Sequence, residues 1–211
     1  MKISDLAYIA IDGVIGVGKT TLTNMLVHRF HGKAIYEEVD ENPFLADFYE
    51  DPRRFAFQTQ MFFLLSRYRQ QQELPQRELF HQLIVADYTF WKDKIFAYLN
   101  LDARELFLYE KIVALMERDI PRPDIVVYLK STPERLMQNI HKRGRHFERN
   151  ISFEYLQSLN KAYNNFFNHY TETPLLIINT TTMDFVKNGA DFEKIIDLLS
   201  SDFEGTFLYD P

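Results

Sequence analysis

A glycine-rich segment near the amino terminus constrains the fold more than any other part of this sequence. Residues 9–26 read IAIDGVIGVGKTTLTNML, in which an apolar run leads through Gly-x-x-x-x-Gly-Lys-Thr into an amphipathic run. A glycine-rich turn between a strand and a helix lets backbone N–H groups point at phosphate groups, and the helix start adds a positive dipole end. The pattern predicts a strand, a phosphate-binding loop and a helix. The alternative is a tight turn with an incidental lysine.

Individual residues of this loop have distinct expected roles. Lys19 is expected to reach the β and γ oxygens of a nucleoside triphosphate, and the Thr20 hydroxyl to bind Mg²⁺. The predicted nucleotide-binding residues are Gly13, Val14, Ile15, Gly16, Val17, Gly18, Lys19, Thr20 and Thr21. The loop alone does not indicate whether water, a protein or a small molecule accepts the phosphoryl group.

The rest of the chain alternates short apolar runs with amphipathic segments. Predicted strands cover residues 7–11, 34–38, 83–87, 124–129 and 175–179. Predicted helices cover 18–31, 53–72, 103–119, 132–143, 152–170 and 191–201. Near-continuous apolar strands between helices predict an α/β fold, with a five-stranded parallel sheet covered by helices on both faces. Without a linker or a shift in composition, a single domain over 1–211 is expected.

Composition excludes several classes of function. The net charge of -6 argues against a nucleic acid as the main partner, because phosphate backbones require a basic face. The absence of cysteine rules out disulfides, thiolate metal sites and a cysteine nucleophile, and predicts a cytoplasmic protein. No apolar run approaches the ~18 residues needed to span a bilayer, so no membrane role is expected.

Acidic residues follow two predicted strands, at the edge of a parallel sheet where ligands bind. Glu37 and Glu38 close the second strand, and a carboxylate there can take the proton of an attacking hydroxyl. The alternative is a solvated acidic loop. Asp87 ends the third strand and is predicted to bind Mg²⁺, directly or through water, the alternative being an ordinary helix N-cap.

Segment 142–150 is strongly basic in an otherwise acidic chain. Its cations, which surround Gly144, are Lys142, Arg143, Arg145 and Arg149. Arginines on a glycine-hinged segment can close over triphosphate oxygens, stabilise the charge of transfer and exclude water. The segment is therefore predicted to be a lid, against the alternative of a solvated charged face, and it favours a kinase over a switch GTPase.

The predicted helix over 53–72 carries two polar side chains on nearly the same face. Gln60 and Arg67 lie seven residues apart and are flanked by Phe63 and Leu64. A glutamine and an arginine among aromatic rings can bind the edge of a nucleobase while the rings stack on its faces. Taken alone, this helix is better explained as a core helix with polar residues at its margin, since aromatic stripes at helical spacing usually face the core.

Three longer stretches give the chain a family resemblance. They are YEDPRRFAFQTQMFFLLSRYR at 49–69, ADYTFWKDKIFA at 86–97 and KRGRHFERNISFEYL at 142–156. With the phosphate-binding loop before them, they make the chain resemble the deoxynucleoside kinases, especially the bacterial deoxyadenosine and deoxyguanosine kinases. The resemblance implies a P-loop kinase fold, ATP and Mg²⁺ as cofactors, and phosphorylation of the 5′-hydroxyl of a deoxynucleoside, a purine one in this branch.

The resemblance also implies the residues that bind the acceptor. Glu38 corresponds to the general base, with Glu37 as the alternative register, because the family usually has Glu-Pro-Val where this chain reads Glu38-Val39-Asp40. The other implied acceptor residues are Tyr49 and Glu148 at the sugar, Gln60, Arg67 and Asp93 at the base, and Phe57 and Phe90 as aromatic neighbours. Asp87 is counted with them as a residue near the reacting groups.

On the nucleotide side, the resemblance assigns Arg143 and Arg145 to the phosphates and the segment around Asp184 and Phe185 to the adenine. One position departs from the pattern. Many relatives have an arginine directly after the acidic residue that ends the third strand, whereas Tyr88 follows Asp87 here. This form tilts toward the purine-preferring bacterial branch and leaves one phosphate contact unassigned.

Two other functions remain open from the sequence. A nucleoside monophosphate kinase of the thymidylate type shares the phosphate-binding loop, lid arginines and sheet, but needs a basic pocket for the phosphate of its acceptor. A non-catalytic nucleotide-binding subunit on the same fold is the second, since fold does not determine function. The resemblance further implies a homodimer paired through helices.

Overall fold

A parallel sheet of six strands organises the fold. The computed structural model describes residues 3–74, 83–202 and 204–211. The strands are β1 (Tyr8–Gly13), β2 (Lys33–Ile35), β3 (Ile84–Ala86), β4 (Ile125–Lys130), β5 (Leu175–Asn179) and β6 (Thr206–Tyr209). They lie in the order β2-β3-β1-β4-β5-β6, and every neighbouring pair is parallel.

The prediction of a parallel α/β sheet is confirmed, but the predicted number of five strands is wrong. The additional strand, β6, is an edge strand that pairs only with β5 among the described residues, with Leu176 opposite Phe207. Its Leu208 side chain is 58% exposed. Its four residues, Thr-Phe-Leu-Tyr, are of types that suit a strand, but a run of four is too short to show a period and lacks the continuous burial that marks the inner strands.

Helices flank the sheet. They are α1 (Lys19–Phe30), α2 (Leu45–Glu50), α3 (Pro52–Gln72), α4 (Lys92–Asn100), α5 (Ala103–Met116), α6 (Pro133–Arg143), α7 (Phe153–Asn168) and α8 (Gly189–Leu199). The six predicted helices are all present, while α2 and α4 were not predicted. Both are shorter than the window of about 11 residues in which a helical period becomes recognisable.

The core lies between the sheet and these helices. Every residue of β1 is buried, as expected for a central strand covered on both faces. Leu22 and Leu26 of α1 are completely buried in the same core cluster. On α7, the Phe167 ring stacks on Tyr128 of β4 with the ring centroids 4.3 Å apart. This packing holds the strand ends, from which the site is built, in fixed positions.

The carboxyl ends of β1, β2 and β3 lie side by side and supply the loops of the site. Gly13 ends β1 with φ +152°, and a Cβ there would lie 2.5 Å from the Leu129 carbonyl oxygen. Strand β2 ends at Ile35, so the prediction that Glu37 and Glu38 close this strand is wrong: both lie in the loop that follows. Among the described residues, none of the helices combines the length and the hydrophobicity that a membrane span needs.

Candidate active site

The phosphate-binding loop runs from Gly13 to the start of α1. Gly16 and Gly18 have φ values of +86° and +107°, which only glycine adopts readily. The Lys19 ammonium donates hydrogen bonds to the carbonyl oxygens of Gly13, at 2.8 Å, and Val14, at 3.2 Å. Burial and the nearby Lys92 ammonium lower the pKa of Lys19 to about 8. The loop therefore has the geometry of a phosphate cradle, with a lysine folded across it.

Thr20 and Asp87 lie together beside this loop, as a Mg²⁺ site requires. The Thr20 hydroxyl donates to Asp87 Oδ2 at 2.6 Å, and the Glu37 backbone N–H donates to Asp87 Oδ1 at 2.8 Å. Burial raises the pKa of Asp87. No group of three or more metal-binding side chains occurs in the described residues. A pair of oxygen ligands suits Mg²⁺, which takes one or two protein oxygens together with phosphate oxygens and water.

Glu37 projects into a cavity next to Lys19 and is held by two cations. Its Oε1 accepts hydrogen bonds from both Nε and Nη2 of Arg67, and its Oε2 accepts one from Lys92 Nζ at 2.6 Å. Burial by itself raises the pKa of Glu37, but Lys92 and Arg67 outweigh it and hold that pKa well below its usual range. Glu37 is therefore an ionised, oriented carboxylate.

Glu38 faces the other way, away from the residues that line the cavity. Its Oε2 accepts hydrogen bonds from the Ser66 hydroxyl and from Nη2 of Arg69, whose side chain is 63% exposed. Of the two glutamates, Glu37 lines the cavity and Glu38 does not. The position of the two side chains favours the alternative register, with Glu37 as the base, which stays a prediction.

The predicted base-reading residues lie together: Gln60 and Arg67 line the same cavity, and Asp93 is buried behind them. Gln60 Nε2 donates to the Asp93 carbonyl oxygen at 2.8 Å, and Arg67 Nη1 donates to Asp93 Oδ1. All three side chains are buried. The Arg67 guanidinium lies 5.0 Å from the Phe63 ring centroid. The buried Tyr109 hydroxyl also lies beside the Asp93 carboxylate and hydrogen-bonds to it.

The two predicted aromatic neighbours of the base lie elsewhere. Phe90 is buried in a separate core cluster with Leu64 and Tyr109, and Phe57 does not line the cavity. Helix α3 turns one face to the cavity, made of Ala56, Thr59, Gln60, Phe63 and Arg67. Phe57 lies one residue past this face, about 100° around the helix axis. Phe63 and Phe96 are aromatic cavity residues instead.

The predicted sugar and lid residues line this cavity as well. Tyr49 lies in its wall, and burial raises the pKa of its hydroxyl well above the usual value. Glu148 is buried and accepts hydrogen bonds from Arg143, including one from Nε at 3.2 Å. Arg145 Nη1 lies 4.0 Å from Glu148 Oε1. The Glu148 carboxylate thus links Arg143 and Arg145 of the basic segment to the wall of this cavity.

A second cavity lies on the other side of Lys19. It is lined by the phosphate-binding loop, Arg143, Arg145 and the segment around Asp184 and Phe185. The Phe185 ring packs on Gly18, where a Cβ would be 3.1 Å from the ring, and the Asp184 N–H donates to Asp191 Oδ2. The residues common to both cavities are Lys19, Thr20, Arg143 and Arg145. A group held in one cavity can therefore meet a group held in the other at these four side chains.

Lys92 was not predicted as a site residue from the sequence. It lies within the ADYTFWKDKIFA stretch, yet its side chain is only 4% exposed and reaches the cavity wall beside Glu37. The signal that was available was a lysine five residues after Asp87, but without the unpredicted helix α4 its direction could not be inferred.

Comparisons with known proteins agree over nearly the whole chain. A family model described as "Deoxynucleoside kinase" matches residues 9–203. The chain is 38% identical over 193 residues to a deoxyguanosine kinase of Bacillus subtilis, covering 89% of this chain and 93% of that protein. It is 35% identical over 203 residues to a deoxyadenosine kinase of Dictyostelium discoideum, covering 93% and 79%. A solved structure of a deoxyadenosine kinase from M. mycoides with bound dATP has a TM-score of 0.81 at 27% identity, covering 92% of this chain and 100% of that one.

Proposed function

Because this chain belongs to the deoxynucleoside kinase family, we propose that it transfers the γ-phosphoryl group of ATP to the 5′-hydroxyl of a purine deoxynucleoside. The family resemblance inferred from the sequence is confirmed. The observation that carries the proposal is the meeting of two cavities at Lys19, Thr20, Arg143 and Arg145. One cavity has the glycine loop that suits a triphosphate, and the other has the buried polar side chains that suit a nucleoside.

In this proposal, the nucleotide lies along the loop, with its base near Asp184 and Phe185. The Thr20 hydroxyl and Asp87 would hold Mg²⁺, which would neutralise charge on the phosphates. Lys19, Arg143 and Arg145 stabilise the charge on the transferring group. The protein contributes mainly position and electrostatic stabilisation, since phosphoryl transfer needs little covalent chemistry from side chains.

The deoxynucleoside occupies the cavity on the other side. Tyr49 and Glu148 bind its sugar, and Gln60, Arg67 and Asp93 bind its base. Glu37 accepts the proton of the 5′-hydroxyl. We assign this role to Glu37 instead of Glu38, because Glu37 faces the cavity beside Lys19 whereas Glu38 bonds to Ser66 and Arg69 outside it.

A purine acceptor is supported by the names of the relatives, a deoxyguanosine kinase and a deoxyadenosine kinase. We propose that the 5′-monophosphate formed serves nucleotide salvage, and the cytoplasmic location stays a prediction. A nucleoside monophosphate kinase is not favoured, because the cations Arg67 and Lys92 of the acceptor cavity are already paired with Glu37 instead of awaiting an acceptor phosphate.

The test is the release of ADP from ATP and Mg²⁺ with each of the four deoxynucleosides, and with dTMP as the acceptor of the rival reaction. We expect ADP release to require an added nucleoside and to be fastest with deoxyguanosine or deoxyadenosine. ADP release with dTMP as the acceptor, and with none of the deoxynucleosides, would favour the monophosphate kinase. No release with any acceptor, although ATP binds, would favour a non-catalytic subunit.

We also propose a homodimer formed through the outer faces of three helices. Large apolar side chains are exposed on α3, α4 and α5, namely Leu65, Tyr98, Phe107, Leu108 and Leu115. Contiguous exposed apolar patches usually mark interaction sites. Leu115 is 71% exposed and lies seven residues after the exposed Leu108, on nearly the same face of α5.

Replacing Leu115 by glutamate is expected to convert the dimer to a monomer, because the interface would then bury an unpaired charge. The measurement is sedimentation velocity at micromolar concentration. Leu208→Glu is the control, since Leu208 is similarly exposed but lies on the far edge strand. A monomeric parent, or a dimer that is unaffected by Leu115→Glu, would contradict the proposed interface.

A further inference from the structure

Lys92 is a buried cation, and contacts of its ammonium and of its backbone N–H hold it in position. Its side chain is 4% exposed, and its ammonium lies 5.6 Å from the Phe96 ring centroid. Its backbone N–H donates to the Thr89 hydroxyl oxygen at 3.2 Å. That hydroxyl donates to Asp12, a completely buried residue whose Oδ1 also accepts from the Gly13 N–H. Asp12 thus connects the first turn of the phosphate-binding loop to the beginning of α4, which carries Lys92.

The residue directly after Asp87 does not supply a cation to the site. Tyr88 is completely buried, and its hydroxyl donates to Gln70 Oε1 at 2.7 Å. It does not line either cavity. Lys92, five residues after Asp87, instead brings its ammonium to the cavity and close enough to Lys19 to lower the pKa of that lysine. Of the residues that follow β3, Lys92 on α4 and not Tyr88 therefore brings a positive charge to the cavity.

Each carboxylate oxygen of Glu37 is bound by a different cation, and only one of these cations also binds Asp93. Oε1 is bound by Arg67, which also binds Asp93 in the wall that we propose for the nucleobase. Oε2 is bound by Lys92, which has no contact with that wall's Asp93 carboxylate. A base that engages Arg67 would compete with the Arg67 bond to Oε1. The Lys92 bond to Oε2 does not face this competition.

We propose that Lys92 is a positioning residue of the transfer reaction: it holds Glu37 by Oε2 and so leaves Oε1 directed at the 5′-hydroxyl when the nucleoside is bound. The proposal rests on the proposed function. The hydroxyl proton passes to Glu37. A carboxylate that is out of place by about 1 Å is expected to lose much of its catalytic effect, even with the substrates bound normally.

The test compares Lys92→Met with Lys92→Arg, using steady-state kinetics on the best deoxynucleoside. Methionine keeps an apolar stem against Phe96 but removes the charge, and arginine keeps a cation. We expect Lys92→Met to lower kcat by roughly 10-fold to 100-fold with the KM for the nucleoside changed less than about threefold, since position and not binding is lost. Lys92→Arg is expected to restore most of kcat.

Lys94→Met is the matched control, because Lys94 lies on the same helix but pairs with Glu117 near the surface. Its kcat is expected to equal that of the parent. An unchanged kcat in Lys92→Met, a rise in KM with kcat unchanged, or no recovery in Lys92→Arg would each overturn the proposal. If Lys92→Met does not fold, Lys92→Gln is compared in the same way, and an unchanged kcat there overturns it. A parent without deoxynucleoside turnover would instead contradict the proposed function.

Discussion

Replacing Glu37 by glutamine is expected to lower kcat by about 10³-fold, within the range that general-base catalysis contributes. The amide keeps the shape of the side chain but cannot accept the 5′-hydroxyl proton. Glu38→Gln, the matched control one residue along the chain, is expected to stay within about threefold of the parent, because its carboxylate binds Ser66 and Arg69 outside the cavity. The measurement is kcat for ADP release with saturating deoxynucleoside.

Stability must be measured beside activity for this pair. Glu37→Gln removes the buried negative charge that pairs with Arg67 and Lys92. Breaking a buried ion pair lowers the free energy of unfolding by roughly 3–5 kcal/mol. Thermal unfolding shows whether the variant is folded at the assay temperature, and its KM for ATP shows whether the nucleotide side is intact. If Glu38→Gln loses activity and Glu37→Gln does not, the base is Glu38 and the assignment of Glu37 is wrong.

The second large effect is expected for Lys19→Ala, which should lower kcat by about 10²-fold to 10³-fold, the usual loss when one transition-state donor is removed. Lys19 lies at the junction of the two cavities, and its ammonium is free to exchange the carbonyls of Gly13 and Val14 for phosphate oxygens. Its removal gives up those two hydrogen bonds, at about 1 kcal/mol each, and its attraction to Asp12, Glu37 and Asp87, while the core packing is untouched, so the fold should be retained.

Lys33→Ala is the control for this second prediction, because Lys33 is exposed at the start of β2. The assay is kcat with saturating ATP and deoxynucleoside, accompanied by thermal unfolding of both variants. We expect the Lys33 variant to match the parent in both measurements. A folded Lys19→Ala protein with nearly normal turnover would contradict the assignment of the loop as the phosphate site.

Several features of the fold could be predicted from the sequence because they depend on neighbouring residues. The strand before Gly13 and the helix after Gly18 follow from an apolar run, a glycine pattern and an amphipathic run within 18 residues. The inner strands were recognisable because burial on both faces requires continuous apolar runs. The short helices α2 and α4 and the edge strand β6 were not, since each is too short or too exposed to produce a periodic signal.

The residues of the site also fall into those that could be predicted from the sequence and those that could not. Gln60, Arg67 and Asp93 were predicted as a group, and the structure brings them together. Phe57 and Phe90 were predicted as neighbours of the base but lie outside the cavity. Their direction depends on how α3 and the loop before α4 are rotated in the packed protein, and that rotation is set by contacts between distant segments.

The sequence by itself determined the phosphate-binding loop, the alternation of strands and helices, and the oxygen pair Thr20 and Asp87, because each is a local pattern placed at a strand end. Only the tertiary structure decided that Glu37 faces the cavity and Glu38 does not, and that Lys92 reaches Glu37. Both glutamates have the same chemistry and adjacent positions. Which one is buried depends on Arg67, 30 residues away, and on Lys92, 55 residues away, and pairings over such distances are made only when the chain packs.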